Sequence, residues 1–261
     1  MALFGYNTHM TAQNTEGTEG KGHLHPITLM QRDIARIFRG LGFAVADGPE
    51  IETEFYNFDA LNIPEWHPAR DMWDTFWLKP LNARKLLRTH TSPVQIRYMQ
   101  SHKDKMPIAM VTPGKVYRHE ATDATHEAQF YQLEGLMVGE GVSLAHFKGV
   151  LEHFFKEFFG VPVAIRLRPS YFPFVEPGVE ADVTCVKCEG RGCTVCKNTG
   201  WIELMGAGMV HPKTLEAGGI DPRKYTGFAF GMGLDRLGVI KYGIPDVRLL
   251  YQGDLRLVNQ F

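Results

Sequence analysis

Residues 116–135 constrain the fold of this chain most, because they place a long polar stretch between two apolar strand patterns. The segment reads VYRHEATDATHEAQFYQLEG. Apolar residues lie at 108–111 and 116–117 on one side of it and at 130–138 on the other. Short apolar runs on both sides of a polar stretch are typical of two paired strands. We therefore predict a β-hairpin with a long polar tip.

Alternation along the two predicted strands places polar side chains together. Arg118 and Glu120 share one face of the first strand, and Phe130, Gln132 and Glu134 share one face of the second. If these two faces coincide, one wall carries an arginine, carboxylates, an amide and an aromatic ring, which suits an anion site with a paired carboxylate. The alternative is a solvated sheet face with cross-strand ion pairs, and the hairpin alone leaves both open.

Length and composition limit the class of protein. With 261 residues, 44% hydrophobic and 22% charged, the chain is an ordinary globular protein of one large or two small domains. No apolar run approaches the ~20 residues of a membrane helix, and no signal peptide is recognisable, so we expect a cytoplasmic protein without membrane contact. The net charge of −1 gives no overall positive field for nucleic acid, so any such contact must be local or made by a partner.

The first half of the chain predicts one long helix followed by irregular structure. Residues 1–22 are polar and lack an apolar period, and we expect a flexible leader. A helix is predicted between Pro26 and Gly40, where apolar residues recur at helical spacing. An extended run ends at Pro49. The aromatic-rich residues 55–80 predict a long ordered loop, which is either a lid or an aromatic cluster packed on the sheet.

The second half predicts helices and strands in alternation. We expect a helix over residues 93–99 and a longer helix between Ser143 and Gly160, which supply a cap at either end. A half-buried strand is predicted at 163–168 from the alternation of apolar residues with arginines. A second hairpin is predicted over residues 181–210.

All four cysteines lie within residues 185–196, at the tip of the predicted second hairpin. Cys185, Cys188, Cys193 and Cys196 form two CxxC pairs, a spacing that can fold two tight turns around one tetrahedral ion. We predict a structural Zn²⁺, because four thiolates leave no open coordination position for catalysis. Disulfide pairing is the alternative, and the expected cytoplasmic compartment disfavours it.

Residues 227–248, GFAFGMGLDRLGVIKYGIPDVR, predict a short strand, a glycine-rich turn and a helix that begins near Leu234. Gly231 and Gly233 allow a ligand to approach the backbone closely, and Arg236 falls in the first turns of the helix. Helix amides, the helix dipole and a guanidinium together favour a phosphate. The pattern matches neither the Walker sequence nor the dinucleotide fingerprint.

Three segments stand in the order of motifs 1, 2 and 3 of the class II aminoacyl-tRNA synthetases, which the sequence resembles. They are GFAVADGPEIE, the hairpin YRHE…FYQLE and the turn GMGLDR. The segments GHLHPIT, HPARDMWDTFW, LLRTHTSPVQIRYM, YFPFVEPG and GAGMVHP look like those of the catalytic α subunits of bacterial phenylalanyl-tRNA synthetases. The resemblance covers residues 22–261, and it identifies an N-terminally truncated member, since the family's N-terminal helical arm would come earlier.

The resemblance implies an α+β fold, with a class II-type antiparallel sheet flanked by helices. Residues 23–261 would form the catalytic domain, with the zinc knuckle 185–196 inserted at a hairpin tip. It further implies that phenylalanine and ATP give phenylalanyl-adenylate, and that the acyl group is then transferred to tRNA(Phe). The expected partner is a β subunit, in a heterotetramer.

The resemblance also implies an ATP site. Arg118 would hold the α-phosphate and the attacking carboxylate, and Arg236 the γ-phosphate, which makes these two the expected catalytic residues. Glu176 would bind Mg²⁺. The expected ATP contacts are Arg118, Glu120 at the adenine amino group, His126 at the β- and γ-phosphates, Phe130 stacked on the adenine, Gly233 and Arg236.

The amino-acid pocket follows from the same resemblance. Phe172 and Phe174 would pack edge to face against the substrate ring, and Ala229 would close the pocket at the para position. Polar residues would hold the ammonium and carboxylate groups. The full expected set is Trp73, His90, Ser92, Gln95, Gln132, Glu134, Phe172, Phe174, Val175, Ala229 and Gly231.

Two other classes of function compete with this enzyme. One is a class II paralogue that activates an amino acid without charging tRNA, or that serves as a regulatory subunit; the presence of Arg118, Glu120 and Arg236 argues against a non-catalytic role. The other is a zinc-ribbon nucleic-acid-binding module, and the near-zero net charge argues against it.

Overall fold

The computed structural model describes residues 22–67, 75–119, 122–123 and 127–261. Within these ranges the strands are β1 Ala44–Val45, β2 Ile51–Thr53, β3 Lys85–Leu87, β4 Ile108–Tyr117, β5 Gln129–Gly139, β6 Ile165–Phe172, β7 Val175–Thr184, β8 Trp201–Val210 and β9 Thr226–Gly233. The helices are α1 Pro26–Gly40, α2 Glu54–Asn57, α3 Pro93–His102, α4 Leu144–Phe159, α5 Pro212–Ala217, α6 Leu234–Tyr242 and α7 Leu255–Val258, with short 3₁₀ helices at Asp59–Leu61, Leu81–Ala83 and Val247–Leu250.

Seven of these strands form one sheet in the order β1–β4–β5–β9–β8–β7–β6. Neighbouring strands are antiparallel except β1 and β4, which are parallel. The predicted antiparallel sheet flanked by helices is therefore confirmed, with the edge strand β1 as a correction. A parallel pair needs a long crossover connection, which residues 46–107 supply. Strands β2 and β3 form a separate antiparallel pair within that crossover.

Helices α1 and α4 cover one face of the sheet. Phe38 of α1 stacks on Phe154 of α4 at 4.8 Å between ring centroids, and on Phe230 of β9 at 5.9 Å. Alternation along β5 places Leu133 in this aromatic core and Leu136 in a second core on the opposite face. The polar side chains at even positions of β5 share the second face, which is the face that carries the site.

The ends of α4 follow from the residues predicted to cap it. Ser143 and His146 form a capping box at the N-terminus, and Gly160 ends the helix in the left-handed conformation, with φ 71°. The stripe of phenylalanines between them is buried, as the helical spacing predicts.

Several predicted boundaries are moved by the structure. The helix predicted at 93–99 continues to His102, and the strand predicted at 163–168 runs over Ile165–Phe172. Of the extended run expected to end at Pro49, only Ala44–Val45 is a strand, β1, and β2 begins after the proline in a different sheet. Within 55–80 the described residues form α2 and a 3₁₀ turn, because the Thr53 side chain accepts the amide of Tyr56 and starts a helix.

Among the described helices, none is both long enough and apolar enough to cross a membrane.

We predict opposite effects on stability for two glycine-to-alanine substitutions. In Gly135→Ala the new methyl carbon would lie 2.2 Å from the buried ring of Phe230, so we expect a loss of about 1–3 kcal/mol in the free energy of unfolding. Gly149, exposed in α4 with open space around its Cα, is the control: Gly149→Ala should gain about 0.5–1 kcal/mol. Urea denaturation measures both, and equal effects would contradict the close packing of β5 on β9.

Candidate active site

A cavity of about 160 Å³ opens on the face of the sheet opposite α1 and α4. It lies where β5, β9 and β8 run side by side, below the turn that joins β6 to β7. The residues that line it are His90, Ser92, Arg118, Gln132, Glu134, Phe172, Phe174, Gly206, Ala207, Ala229, Phe230 and Gly231.

Glu134 is the central polar residue of this cavity, and its side chain is 3% exposed. Its Oε1 accepts hydrogen bonds from Ser92 Oγ at 2.7 Å and Gln95 Nε2 at 2.6 Å. Its Oε2 accepts from Thr91 Oγ1 at 3.0 Å, with Gln132 Nε2 at 3.4 Å. Burial raises the pKa of Glu134 to about 7, although these hydrogen bonds oppose the increase. The site therefore holds a carboxylate that a cationic ligand would stabilise.

The donors to Glu134 come from one short segment at the start of α3. Pro93 occupies the first turn, so the Ser92 and Thr91 side chains lie at the helix N-terminus, facing β5. Arg88 fixes the approach to this segment; its side chain is 2% exposed and donates to the carbonyl oxygens of Lys115, at 2.8 Å, and Gly48, at 3.0 Å. The polar wall is thus anchored to β4 and to the segment between β1 and β2.

His90 forms the deep polar corner of the cavity. Its Nε2 lies 3.1 Å from the carbonyl oxygen of Asn57, at the end of α2. Burial, and next the charge of Arg118, lower the pKa of His90 to about 3, so the ring is neutral at physiological pH.

Arg118 lies at the end of β4, where the hairpin leaves the sheet. Its Nε donates to the carbonyl oxygen of Thr89 at 3.1 Å, and its guanidinium carbon lies 5.0 Å from the centroid of the Phe130 ring. Arg118, Gln132 and Glu134 line the same cavity, as expected if the polar faces of the two strands coincide. An arginine beside an aromatic face forms a site where a planar base and a phosphate can bind together.

Two phenylalanines form the apolar wall. Phe172 and Phe174 have ring centroids 6.1 Å apart and planes inclined by 25°. Ala229, 4% exposed, lines the same cavity from β9. A methyl carbon on Gly206 would lie 2.6 Å from the Phe172 ring, so only glycine at this position lets the ring lie over β8.

Four residues at or beside the cavity are absent from the sequence-based prediction. Gly206 and Ala207 of β8 and Phe230 of β9 line it directly, and Thr91, outside the lining, donates to Glu134. The small residues of the segment GAG in β8 are the sequence feature that could have indicated Gly206 and Ala207. That feature does not reveal which strand lies beside β8. Thr91 is adjacent to the predicted pair His90 and Ser92.

Two predicted amino-acid-binding residues lie behind the cavity wall. Gln95 does not line the cavity, but it holds Glu134 in place at 2.6 Å. Val175 is 4% exposed and packs in the core, where a side chain on Gly208 would collide with it. Gly231 lines the cavity as expected, directly across the ladder from Glu134.

Apart from Arg118, the described residues predicted for the phosphates and the metal lie outside the cavity lining. Gly233 is the N-cap of α6, and Arg236 is exposed two residues into that helix, with its Nε donating to the carbonyl oxygen of Glu203 at 3.1 Å. Glu176 is exposed, and its carboxylate lies 3.4 Å from Nε2 of His211. Trp73, Glu120 and His126 lie outside the described residues, as does the expected leader up to residue 21.

The four cysteines converge at the tip of the β7–β8 hairpin. Their Sγ atoms lie within 4.8 Å of one another, and three of the four residues are buried. Backbone amides of Gly192, Cys193 and Gly200 point at the sulfur atoms of Cys188 or Cys196 at 3.1–3.3 Å. Four clustered sulfurs with amide donors are suited to one tetrahedral ion.

Comparison with known proteins relates this geometry to a family. The model of the tRNA synthetase class II core domain (F) matches residues 6–261. The phenylalanine–tRNA ligase α subunit of Caldanaerobacter subterraneus subsp. tengcongensis is 56% identical over 240 residues, which are 92% of this chain and 69% of the relative. The same subunit of Bacillus subtilis is 53% identical over 240 residues, with the same coverage.

Solved structures agree at the level of the fold. A pyrrolysyl-tRNA synthetase from Desulfitobacterium hafniense superimposes with a TM-score of 0.65 at 21% identity, covering 87% of this chain and 74% of that one. Such low identity supports the fold alone. The family match and the two relatives reach further: the chain belongs to the class II aminoacyl-tRNA synthetases, in the family of the phenylalanine–tRNA ligase α subunits.

Proposed function

We propose that this chain is the catalytic α subunit of a phenylalanine–tRNA ligase. It activates L-phenylalanine with ATP to phenylalanyl-adenylate and pyrophosphate, and transfers the phenylalanyl group to tRNA(Phe). The observation that carries this proposal is one small cavity with a buried carboxylate at one end and two phenylalanine rings at the other. An α-amino acid with an aromatic side chain matches both ends.

The cavity supports a defined orientation for phenylalanine. The ammonium group binds at Glu134, whose carboxylate has no cation at hydrogen-bond distance among the described residues. The ring lies between Phe172, Phe174 and Ala229, where apolar contact and aromatic edges favour it. The carboxylate of the substrate then faces Arg118 at the open side. A tyrosine hydroxyl at Ala229 would be buried without a partner, which disfavours tyrosine.

Adenylation in this site depends on charge and position more than on proton transfer. The substrate carboxylate attacks the α-phosphorus of ATP, and pyrophosphate leaves. Arg118, beside the Phe130 ring, offsets the charge that develops on the α-phosphate, and Arg236 at the start of α6 is proposed for the γ-phosphate. Mg²⁺, bound to the phosphates, would supply further charge neutralisation. The exposed carboxylate of Glu176 fits the usual mode of one protein carboxylate plus phosphates and water.

The knuckle is proposed to bind one Zn²⁺ in a structural role. All four ligand positions are supplied by thiolates, so no position remains for a substrate. The knuckle closes the hairpin whose second strand, β8, carries Gly206 and Ala207 of the cavity.

The proposed partners are tRNA(Phe) and a β subunit, in a heterotetramer, since the relatives are named as α subunits. The cytoplasm, where tRNA is charged, is the proposed compartment. A class II paralogue that activates an amino acid without charging tRNA is the alternative that the experiments below separate.

Amino-acid-dependent exchange of pyrophosphate into ATP tests the adenylation step. With the β subunit present, phenylalanine should stimulate exchange, and tyrosine should do so at least about 100-fold less in kcat/KM, because its hydroxyl costs roughly 3 kcal/mol when buried unpaired. Charging of tRNA(Phe) by the same preparation then tests transfer. Exchange without charging would identify the paralogue. If none of the amino acids stimulates exchange in a folded complex, the synthetase proposal is wrong.

We predict that phenylalanine binding tightens as pH rises from 6 to 8. The pKa of Glu134, which burial raises to about 7, leaves the carboxyl largely protonated at pH 6 and largely ionised at pH 8. Only the ionised form binds the substrate ammonium, so the Kd without ATP should fall by about tenfold over this range. His90 remains neutral throughout, since burial lowers its pKa to about 3.

Calorimetry at pH 6, 7 and 8 measures this Kd, and two buffers with different ionisation enthalpies report the proton released on binding. Glu134→Gln is the matched variant: it keeps the size of the side chain, binds weakly and should show no pH dependence. A Kd that is constant in the parent chain would contradict a proton-linked Glu134.

Metal analysis tests the knuckle. We expect one zinc per chain, and Cys193→Ser should lower the zinc content and the midpoint of thermal unfolding, because local folding depends on the ion. Thiol titration supplies the control: four thiols should react only after chelation. Four immediately reactive thiols in protein grown with zinc would contradict a metal site.

A further inference from the structure

Asp235 makes contacts that the proposed reaction does not use. It lies in the first turn of α6, its side chain is 5% exposed, and it does not cap its own helix. Its Oδ2 instead accepts hydrogen bonds from the backbone amide of Tyr131, at 3.2 Å, and from the hydroxyl of Tyr251, at 2.7 Å. One carboxylate oxygen therefore joins β5, α6 and the residue that follows the last 3₁₀ helix.

The contact to Tyr131 stands where the strand ladder ends. Strands β5 and β9 are paired as far as Gln132 and Gly233, and the next residue of β9 in the register, Leu234, already belongs to α6. The amide of Tyr131 consequently has no strand partner on that side, and the Asp235 carboxylate takes the place of one. This hydrogen bond fixes the position of the first turn of α6 relative to β5.

The two residues joined in this way are neighbours of the proposed ATP contacts. Tyr131 follows Phe130, whose ring lies beside the Arg118 guanidinium, and Asp235 precedes Arg236. An ATP molecule that stacks on Phe130 and reaches Arg236 with its γ-phosphate has to span the distance between β5 and α6. That distance is set by the Asp235 carboxylate.

The burial of the Asp235 carboxylate lowers the stability of the fold, which is unexpected for a residue with a purely structural role. Burial raises its pKa to about 6, and Oδ1 has no hydrogen-bond partner within the described part of the chain. No lysine or arginine pairs with this carboxylate there. A buried carboxylate that is only partly satisfied reduces stability, so its presence is better explained by the position that it enforces.

We propose that Asp235 and Tyr251 are positioning residues for ATP. They hold the start of α6 against β5, so that the distance between Phe130 and Arg236 matches the length of one bound ATP molecule. This inference rests on the proposed function of the same site. Neither side chain is expected to contact phenylalanine, because neither lines the cavity.

Steady-state exchange kinetics of Tyr251→Phe and Asp235→Asn, each assembled with the β subunit, test the proposal. The KM for ATP should rise by about five- to tenfold in each, because Tyr251→Phe removes one hydrogen bond and Asp235→Asn replaces a charged acceptor by a weaker neutral one. The KM for phenylalanine should stay within about twofold. The double variant should be no worse than Asp235→Asn alone, since the two residues act through one contact.

Tyr56→Phe is the matched control. It also removes a partly buried tyrosine hydroxyl, one that donates to Gln100 Oε1 at 3.0 Å, but it lies outside the ATP contacts. It should lower stability by a similar amount and leave the KM for ATP unchanged. An unchanged KM for ATP in both test variants, or an equal rise in Tyr56→Phe, would overturn the inference.

Calorimetric titration with ATP alone separates this inference from the proposed function. If the parent complex binds ATP but shows no exchange with phenylalanine, the proposed function fails, and the ATP affinities of the variants still decide the role of Asp235. Equal affinities in parent and variants would overturn that role; affinities weaker by about five- to tenfold would support it.

Discussion

The candidate site depends on strand β5, because its backbone is paired along both edges. In this register Glu134 stands between Thr112 of β4 and Gly231 of β9, and Gln132 stands between two glycines. Side chains alternate along a strand, so a slip of one residue would turn Glu134 towards the phenylalanine core under α1 and α4. The described residues of that core are apolar and could not solvate a carboxylate. Pairing of β5 with both β4 and β9 thus fixes the face of the sheet that carries Glu134. The glycines opposite Gln132 and Glu134 leave room for a ligand beside the strand.

Once Glu134 is fixed on that face, its burial dictates much of the surrounding structure. Hydroxyl and amide donors replace water around the carboxylate, and they must be held rigidly, because a donor that moves away leaves the charge unsolvated. The buried Arg88 side chain meets this need by fastening the segment before α3 to carbonyl oxygens of two other segments. The donors are neutral, and Arg118 is the last of the groups that lower the Glu134 pKa. The site therefore retains a net preference for a cation, which the ammonium group of the proposed amino-acid substrate would satisfy.

The sequence allowed prediction of what depends on local pattern. The two hairpins, the caps of α4 and the cluster of cysteines follow from alternation, capping residues and spacing, and all of them are present. The central position of β9, between β5 and β8, is not predictable in this way, since pairing between strands distant in the chain leaves no local signature. Gly206 and Ala207 were missed for that reason: their role depends on which strand lies beside them. Val175 was assigned to the pocket by resemblance, but its side chain is buried in the second core and does not line the cavity.

The cysteine knuckle, although it lies at a hairpin tip, bears on the site through β8. The register between β7 and β8 shifts near Asp182, where a buried carboxylate is paired with Arg166 and Arg168, so the ladder alone does not align the two strands up to the tip. At the tip the amide of Cys185 donates to the carbonyl oxygen of Gly200 at 2.8 Å, which closes the hairpin directly beside the sulfur cluster. From there β8 runs on to the Glu203 carbonyl oxygen, which holds Arg236, and to the cavity wall. A tetrahedral ion at the knuckle would therefore fix β8 at the end next to the hairpin tip. It would so hold Arg236, which is proposed for the γ-phosphate, and the cavity residues Gly206 and Ala207 in place without taking part in the chemistry.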